Sequence, residues 1–219
     1  MIKVYGVSLS PFVRKVLLTL DFKELAYEQV PVTPNARPPG WDTMSPLGKV
    51  PVLEHDGFTV PDSSVICRYL DEVFPGRSIY PAEARARARA CWIEEYADTR
   101  LVETVAPFFF ERIVKPIFFK QQPDEARLTA IEREGIPPVL DYVERLVESV
   151  PENAFLFGPT LTIADFGLVS PFINGRAGRF VPDADRYPKL TAYLSRALAT
   201  PLFATRLERE TAEMGALTR

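Results

Sequence analysis

The chain has 219 residues, 47% of them hydrophobic, so it can bury the core of one large domain or of two modest ones. Its formal net charge of -3 excludes the strongly basic surface that nucleic-acid binding requires. No apolar run reaches the roughly 18 residues of a membrane span, and the first residues lack the apolar segment of a secretory signal. We therefore expect a globular cytoplasmic protein that binds neither nucleic acid nor a membrane.

The chain has two cysteines, Cys67 and Cys91, which lie in apolar helical patterns. Their spacing fits neither a metal site nor a CxxC redox motif. We expect two free thiols in a reducing compartment and no metal site.

Residues 1–74 alternate between strand and helix patterns. The run Ile2–Tyr5 predicts a buried strand, and Ser10 followed by Pro11 supplies the N-cap and first-turn proline of a helix. A second strand is predicted at 27–32. Strand, helix and strand then form a right-handed parallel crossover.

The segment 34–46 is rich in proline and predicts irregular structure or at most one short helix. Short strand patterns at 52–53 and 58–60 are joined through an Asp-Gly turn, which predicts a hairpin. The segment 62–74 has the apolar spacing of a helix. The order of elements is therefore βαβ followed by ββα.

Beyond a turn-rich connector the strand patterns stop. We place the domain limits at 1–76 for an α/β domain, 77–84 for a linker and 85–219 for an all-α domain. Pro107 and Pro116 are expected to interrupt or kink the first long helix. The helical patterns run over 82–106, 123–150, 162–173, 187–198 and 201–214.

The start of the helix near residue 162 is strongly specified. Thr162 and Asp165 have the spacing of a capping box, and Leu161 with Phe166 can form a hydrophobic staple. Such a cap contributes about 1 kcal/mol, so we interpret this motif as structural.

Pro51 lies between two valines in what otherwise has the pattern of a strand. Because a proline removes a strand donor, Pro51 is predicted to begin the strand. A cis Val50-Pro51 bond would turn the backbone of Val50 outward at the edge of the sheet, where an extended peptide could pair with it. An ordinary trans proline is the alternative.

In this order and at these spacings, the βαβ-ββα pattern, Val50-Pro51, Asp62-Ser63 and the cap at 162–165 resemble a cytosolic glutathione S-transferase of the bacterial, serine-type kind. The resemblance covers nearly the whole chain. It implies an α/β plus all-α fold, in which an N-terminal thioredoxin-like βαβ-ββα domain binds glutathione and an all-helical C-terminal domain carries the hydrophobic substrate site. It also implies a homodimeric enzyme of detoxification that needs no metal. Glutathione would be its co-substrate, conjugated to a hydrophobic small molecule.

The chemistry requires a thiolate, because an unperturbed thiol with a pKa near 8.5 is mostly protonated at neutral pH. Ser10 can donate its hydroxyl to a sulfur at the positive end of the helix that begins at Pro11. Lowering the thiol pKa by about two units needs roughly 2.7 kcal/mol, which the hydrogen bond and the helix dipole can supply. The resemblance supports Ser10 as the catalytic residue. Tyr5 is the alternative, Ser8 is a third candidate, and a plain helix cap explains Ser10 without catalysis.

The resemblance implies the other glutathione contacts residue by residue. Val50, held by a cis Pro51, would pair with the cysteinyl residue, and Lys49 would meet a peptide carboxylate. Asp62 would face the γ-glutamyl ammonium, and Ser63 would bind the γ-glutamyl carboxylate. Simple helix capping explains Asp62 and Ser63 equally well, and an exposed loop position explains Lys49.

The hydrophobic electrophile is expected beside the sulfur, between the domains. Phe12, Phe108 and Phe109 are the candidates for this site, and core packing is the alternative for each of them.

Other functions stay open. A glutathione-dependent isomerase, dehalogenase or peroxidase could use the same fold, and so could a non-catalytic transferase-like binding or regulatory protein. A dithiol redox cycle cannot run on the loop Ser10-Pro11-Phe12-Val13, because it has no thiol at either end.

Overall fold

The structure is a computed structural model that describes residues 1–217. These residues form two compact units, one made of Met1–Tyr80 together with the chain from Thr205 onward, the other made of Pro81–Ala204. The first unit is α/β and the second is helical, so the α/β plus all-α fold predicted from the sequence is confirmed.

The first unit is built on a four-stranded mixed sheet. In chain order its elements are β1 (Ile2–Tyr5), α1 (Pro11–Phe22), β2 (Tyr27–Val30), α2 (Trp41–Met44), β3 (Val52–His55), β4 (Phe58–Pro61) and α3 (Ser63–Val73). The strand order is β2-β1-β3-β4, with β1 parallel to β2 and antiparallel to β3. The predicted crossover and hairpin are both confirmed. β2 ends at Val30, before the predicted limit at 32, because Pro31 cannot donate to a strand.

Helices α1 and α3 contact each other in the first unit. The apolar residues of α1 from Val13 to Leu20 are buried, as are Ile66 and Leu70 of α3. Val65, which the helical pattern puts on the same apolar face as Ile66, is 51% exposed. The apolar face of α3 is therefore wider than the part of it that this unit covers.

The strand register brings three connecting segments to one end of the sheet. Tyr5 pairs with Val52, and Val52 pairs with Pro61. The chain that leaves β1, the chain that enters β3 and the chain that leaves β4 therefore meet at this end. All the predicted catalytic and glutathione-binding residues except Tyr5 lie in or directly beside these segments.

The second unit contains seven α-helices among the described residues. They are α4 (Ala84–Tyr96), α5 (Val102–Phe109), α6 (Lys115–Phe119), α7 (Glu125–Ala130), α8 (Ile136–Glu148), α9 (Ile163–Ala177) and α10 (Pro188–Leu198). Pro107 lies inside α5, and Pro116 lies in the first turn of α6. The chain stays helical past both prolines, and π-helical segments before and after α5 are where the regular hydrogen bonding changes.

Helix α9 is the most deeply buried element of the second unit, and it packs against α4 and α5. Its predicted capping box is confirmed. The N–H and the hydroxyl of Thr162 both donate to Asp165 Oδ2 at 2.7 Å, while Oδ1 accepts from the N–H of Leu156 and the hydroxyl of Tyr193. Asp165 is 0% exposed, and this burial raises the pKa of its carboxyl.

The last helix, α11 (Pro201–Leu217), groups with the first unit from Thr205 onward. The predicted helical domain instead includes all of 85–219. The difference has a physical cause, since buried Arg206 pairs with Asp21, and Glu210 of α11 pairs with Arg14 of α1.

Within residues 1–217, no helix is long and apolar enough to cross a membrane. The same residues hold no group of three or more His, Cys, Asp or Glu side chains that could bind a metal ion. Cys67 is buried, with its sulfur 3.2 Å from the hydroxyl of Thr19, and Cys91 is half-buried; neither is in a disulfide bond.

Candidate active site

The hydroxyl of Ser10 caps the N-terminus of α1. Its Oγ accepts a long hydrogen bond of 3.5 Å from the backbone N–H of Val13, and its carbonyl accepts from the N–H of Arg14 at 2.9 Å. Helix α1 therefore begins at Pro11, as predicted. Ser10 is half-buried. A cap oxygen at 3.5 Å is only weakly engaged, so the hydroxyl keeps its capacity to donate to an anion at the positive end of α1.

Gly6 lets the first turn of α1 approach Val50. Its φ is +145°, and a Cβ there would lie 2.5 Å from Val13 Cγ2 and 3.2 Å from Val50 Cβ. Any side chain would push the Ser10 turn away from the edge of the sheet. Gly6 is a site residue that was not predicted, although a glycine directly after a buried strand is a signal for close backbone approach.

The Val50-Pro51 peptide bond is cis, as the resemblance implies. Within the described chain, the N–H and C=O of Val50 have no hydrogen-bond partner, so both are available to an extended peptide. Ser45, a residue the sequence analysis missed, is 2% exposed and donates its hydroxyl to the Lys49 carbonyl at 2.7 Å. This bond holds the turn that leads to Val50. The Lys49 side chain is exposed.

Asp62 caps α3 and borders the same end of the sheet. Its Oδ1 accepts hydrogen bonds from the N–H groups of Ser64 at 3.0 Å and Val65 at 3.1 Å. Both bonds go to one oxygen, so capping uses half of this exposed carboxylate. Ser63 follows in the first turn of α3 and is 4% exposed. Asp62 therefore caps α3, and its second carboxylate oxygen is still available to a ligand.

Tyr5 lies in a small core cluster with Val32, Trp41 and Val52. Its hydroxyl donates to Glu54 Oε2 at 2.6 Å, and this hydrogen bond, with burial and the Glu54 charge, raises the pKa of Tyr5 to about 12. The phenol therefore stays protonated at neutral pH, and its hydrogen is directed at a carboxylate. This environment disfavours Tyr5 as the group that stabilises a thiolate.

Ser8 and Gln29 hold the loop between β1 and α1. Ser8 is 2% exposed, and its hydroxyl lies 3.2 Å from Gln29 Oε1 and 3.0 Å from Gln29 Nε2. Gln29 Nε2 also donates to the carbonyl of Gly6 at 2.9 Å. The hydroxyl of Ser8 is thus engaged inside the loop. Gln29 is a further site residue that no local sequence signal indicates.

Phe108 and Phe109, two of the predicted contacts for a hydrophobic substrate, are 1% and 8% exposed. The ring of Phe108 stacks on Phe180 with 4.6 Å between centroids. Core packing therefore accounts for Phe108, and its burial leaves little surface for a ligand.

Other phenylalanines keep exposed surface. Phe12 at the start of α1 is half-buried. Phe110 and Phe119 of the second unit are 42% and 45% exposed, with ring centroids 6.2 Å apart. These rings offer more apolar surface to a small molecule than Phe108 and Phe109 do.

The end of the sheet thus combines three chemical features: a hydroxyl at a helix N-terminus, an unpaired backbone at Val50 just before β3, and a carboxylate at a second helix N-terminus. A short peptide with a thiol and a free ammonium group is complementary to this set. Fold and site together define a thioredoxin-like α/β domain joined to a helical unit.

Comparison with known families agrees with this class. The model described as Glutathione S-transferase, N-terminal domain matches residues 4–78, and the model described as Glutathione S-transferase, C-terminal domain matches residues 109–208. The chain belongs to the glutathione S-transferase family.

Individual relatives agree with the family assignment. LigF from Sphingobium sp. strain SYK-6 is 30% identical, over 91% of this chain and 90% of that protein. Glutathione S-transferase L3 from Arabidopsis thaliana is 29% identical over 78% of this chain, and the match spans 65% of that protein.

Solved structures of the family share the fold. The crystal structure of a glutathione S-transferase from Rhodospirillum rubrum has a TM-score of 0.81 and 30% identity, covering 94% of this chain and 92% of that one. The crystal structure of the beta-etherase LigF has a TM-score of 0.74 and 26% identity, covering 95% and 99% of the two chains.

Proposed function

We propose that this protein is a glutathione transferase that uses Ser10 to stabilise the thiolate of glutathione and adds that sulfur to hydrophobic electrophiles. The observation that carries the proposal is the weakly engaged Ser10 hydroxyl at the N-terminus of α1. A thiolate there would accept the hydroxyl hydrogen and face the positive end of the helix dipole. In the forward reaction the sulfur lone pair forms the new bond to carbon, and the leaving group departs with the bonding electrons.

We assign the binding of the tripeptide to the same end of the sheet. The unpaired backbone of Val50 beside Pro51 would bond the cysteinyl residue in the manner of an added strand. Asp62 would meet the γ-glutamyl ammonium, and Ser63 with the first turn of α3 would receive the γ-glutamyl carboxylate. Exposed Lys49 would pair with the C-terminal carboxylate of the tripeptide.

We further propose that Phe12 contacts an apolar substrate, while Phe108 and Phe109, which are 1% and 8% exposed, contribute to the packing of the helical unit. The protein is proposed to act as a homodimer in detoxification, and size-exclusion chromatography with light scattering measures that oligomeric state. Neither Cys67 nor Cys91 is in a disulfide bond, which favours a reducing compartment, so we place the enzyme in the cytoplasm.

A second candidate reaction is glutathione-dependent ether cleavage, because a full-length relative is named a beta-etherase. The bound thiolate would attack the carbon of an ether, the carbon–oxygen bond would break, and the oxygen would leave with the electron pair and take up a proton. Incubation with an aryl ether and glutathione, with detection of the released phenol, tests this reaction separately from conjugation.

The main experiment compares wild type, Ser10→Ala and Tyr5→Phe in retention on immobilised glutathione and in conjugation of a chloronitrobenzene. We expect all three to bind glutathione. Ser10→Ala keeps the helix dipole and loses only the hydrogen bond, so it should lose about 30-fold in kcat/KM, corresponding to roughly 2 kcal/mol. Equal rates for wild type and Ser10→Ala would overturn the assignment of Ser10. A wild-type protein that neither binds glutathione nor reacts would overturn the function and favour a non-catalytic member of the fold.

A further inference from the structure

The loop that carries Ser10 is bonded to the last helix of the same unit. The backbone N–H of Ser8 donates to both carboxylate oxygens of Glu213 in α11, each at 3.2 Å. Ser8 is 2% exposed and Glu213 is half-buried, so the donor of this hydrogen bond to a charged acceptor is shielded from water. The proposed chemistry and glutathione contacts give Glu213 no role, so its contact with this loop needs its own explanation.

Other contacts hold α11 in place. Arg14 of α1 donates from Nε and Nη2 to the carboxylate of Glu210, with distances of 2.7 Å from each nitrogen to its nearer oxygen. Both side chains are nearly inaccessible, at 2% and 5% exposure. Arg206 bonds to Asp21 of α1. Positions 206, 210 and 213 follow helical spacing, so all three project from one face of α11 toward the first unit.

The opposite side of the loop is held by Gln29. Its Nε2 donates to the carbonyl of Gly6 at 2.9 Å and to the hydroxyl of Ser8 at 3.0 Å. Gln29 lies in β2, which is paired with β1. The loop is therefore bonded to the sheet through Gln29 and to α11 through Glu213, and Ser10 follows these anchor points directly.

We infer that Glu213 is a positioning residue for Ser10, because it fixes the loop 6–10 and with it the direction in which the Ser10 hydroxyl donates. This inference rests on the proposed role of Ser10. The negative charge of Glu213 would by itself oppose a nearby thiolate, so its benefit must be geometric. A displacement of about 1 Å in a catalytic group can cost on the order of 100-fold in rate.

The test uses the full chain and compares Glu213→Ala, Glu213→Gln and Glu208→Ala. Glu208 lies on the same helix and is exposed, so its replacement is the matched control. Each variant is measured for kcat/KM over pH, for glutathione affinity and for Tm. We expect Glu213→Ala to lose about tenfold in kcat/KM and to move the acidic limb of the pH profile upward by about one unit. Glu213→Gln, which keeps an acceptor, should recover most of the loss, and Glu208→Ala should match wild type.

A merely structural role would lower Tm without moving the pH profile, and that result overturns the inference. The inference is also overturned if the pH profile of Glu213→Ala matches that of wild type while the profile of Ser10→Ala is shifted. In that case the proposed function still stands. If Ser10→Ala is also unshifted, the proposed function itself fails. Should Glu213→Ala not fold, amide hydrogen exchange on wild type decides. A Ser8 N–H that exchanges slowly in wild type and stays slow in Glu213→Gln supports the tether, and a freely exchanging Ser8 N–H in wild type contradicts it.

Discussion

The N-termini of α1 and α9 both begin with a hydroxyl side chain, but the two caps differ in how fully they are satisfied within the chain. At α9, Thr162 and Asp165 bond each other, and Asp165 also accepts from Leu156 and Tyr193 inside the core. At α1, Ser10 makes one cap contact, at 3.5 Å, and remains half-buried.

This difference separates a structural cap from a candidate catalytic one. The acceptors of Asp165 are saturated by protein donors, so the α9 terminus has little capacity for a ligand and much effect on stability. At the α1 terminus, the Ser10 oxygen accepts only one long hydrogen bond, and the first turn of the helix carries no acidic side chain. Mutations at the first site should therefore change stability, and mutations at the second should change chemistry.

The largest effect on stability is expected for Asp165→Ala. This change leaves the donors of Leu156, Thr162 and Tyr193 unpaired in a buried site, so we expect a loss of about 4 kcal/mol in the free energy of unfolding. Chemical denaturation measures it, with Glu208→Ala as the neutral control. A loss below about 1 kcal/mol would show that the capping box of α9 contributes little to the stability of the protein.

A smaller effect, on glutathione binding, is expected for Asp62→Asn. This variant separates helix capping from ligand binding at the N-terminus of α3. Asparagine keeps the cap acceptor and tolerates the positive φ of +79° at this position. Removing the charge should raise KM for glutathione about tenfold, because the partner of the γ-glutamyl ammonium is lost. Tm should stay near that of wild type. An unchanged KM would leave Asp62 with capping alone.

The smallest effect on chemistry is expected for Tyr5→Phe. The hydrogen bond to Glu54 is lost, which should cost about 1 kcal/mol of stability. Because the Tyr5 hydroxyl already donates its hydrogen to Glu54, it is not directed at a thiolate, and kcat/KM should stay within about threefold of wild type. Steady-state kinetics check this. A loss as large as that of Ser10→Ala would transfer the catalytic role to Tyr5.

Features that depend on neighbours in sequence could be predicted well. The cap at Ser10 and Pro11 and the box at Thr162 and Asp165 are encoded by adjacent residues, so both helix starts were found from sequence. The hairpin between β3 and β4 follows from its Asp-Gly turn in the same way.

Features that depend on long-range contacts could not be predicted. The exposure of Val65 depends on what covers α3, which helical periodicity does not contain. The pairing of Tyr5 with Glu54 needs the strand register, and the bond from Ser8 to Glu213 needs the last helix to return to the first unit. The sequence around Glu213 carries no local signal that this residue contacts a loop about 200 residues earlier in the chain.

The most direct test of the account is the pKa of the glutathione thiol bound to wild type and to Ser10→Ala, followed by the ultraviolet absorbance of the thiolate over pH. We predict a pKa of about 6.5 in wild type, two units below the free thiol, and a value near about 8 in Ser10→Ala. A thiol pKa that is the same in both proteins, or close to that of free glutathione in wild type, would contradict the central claim.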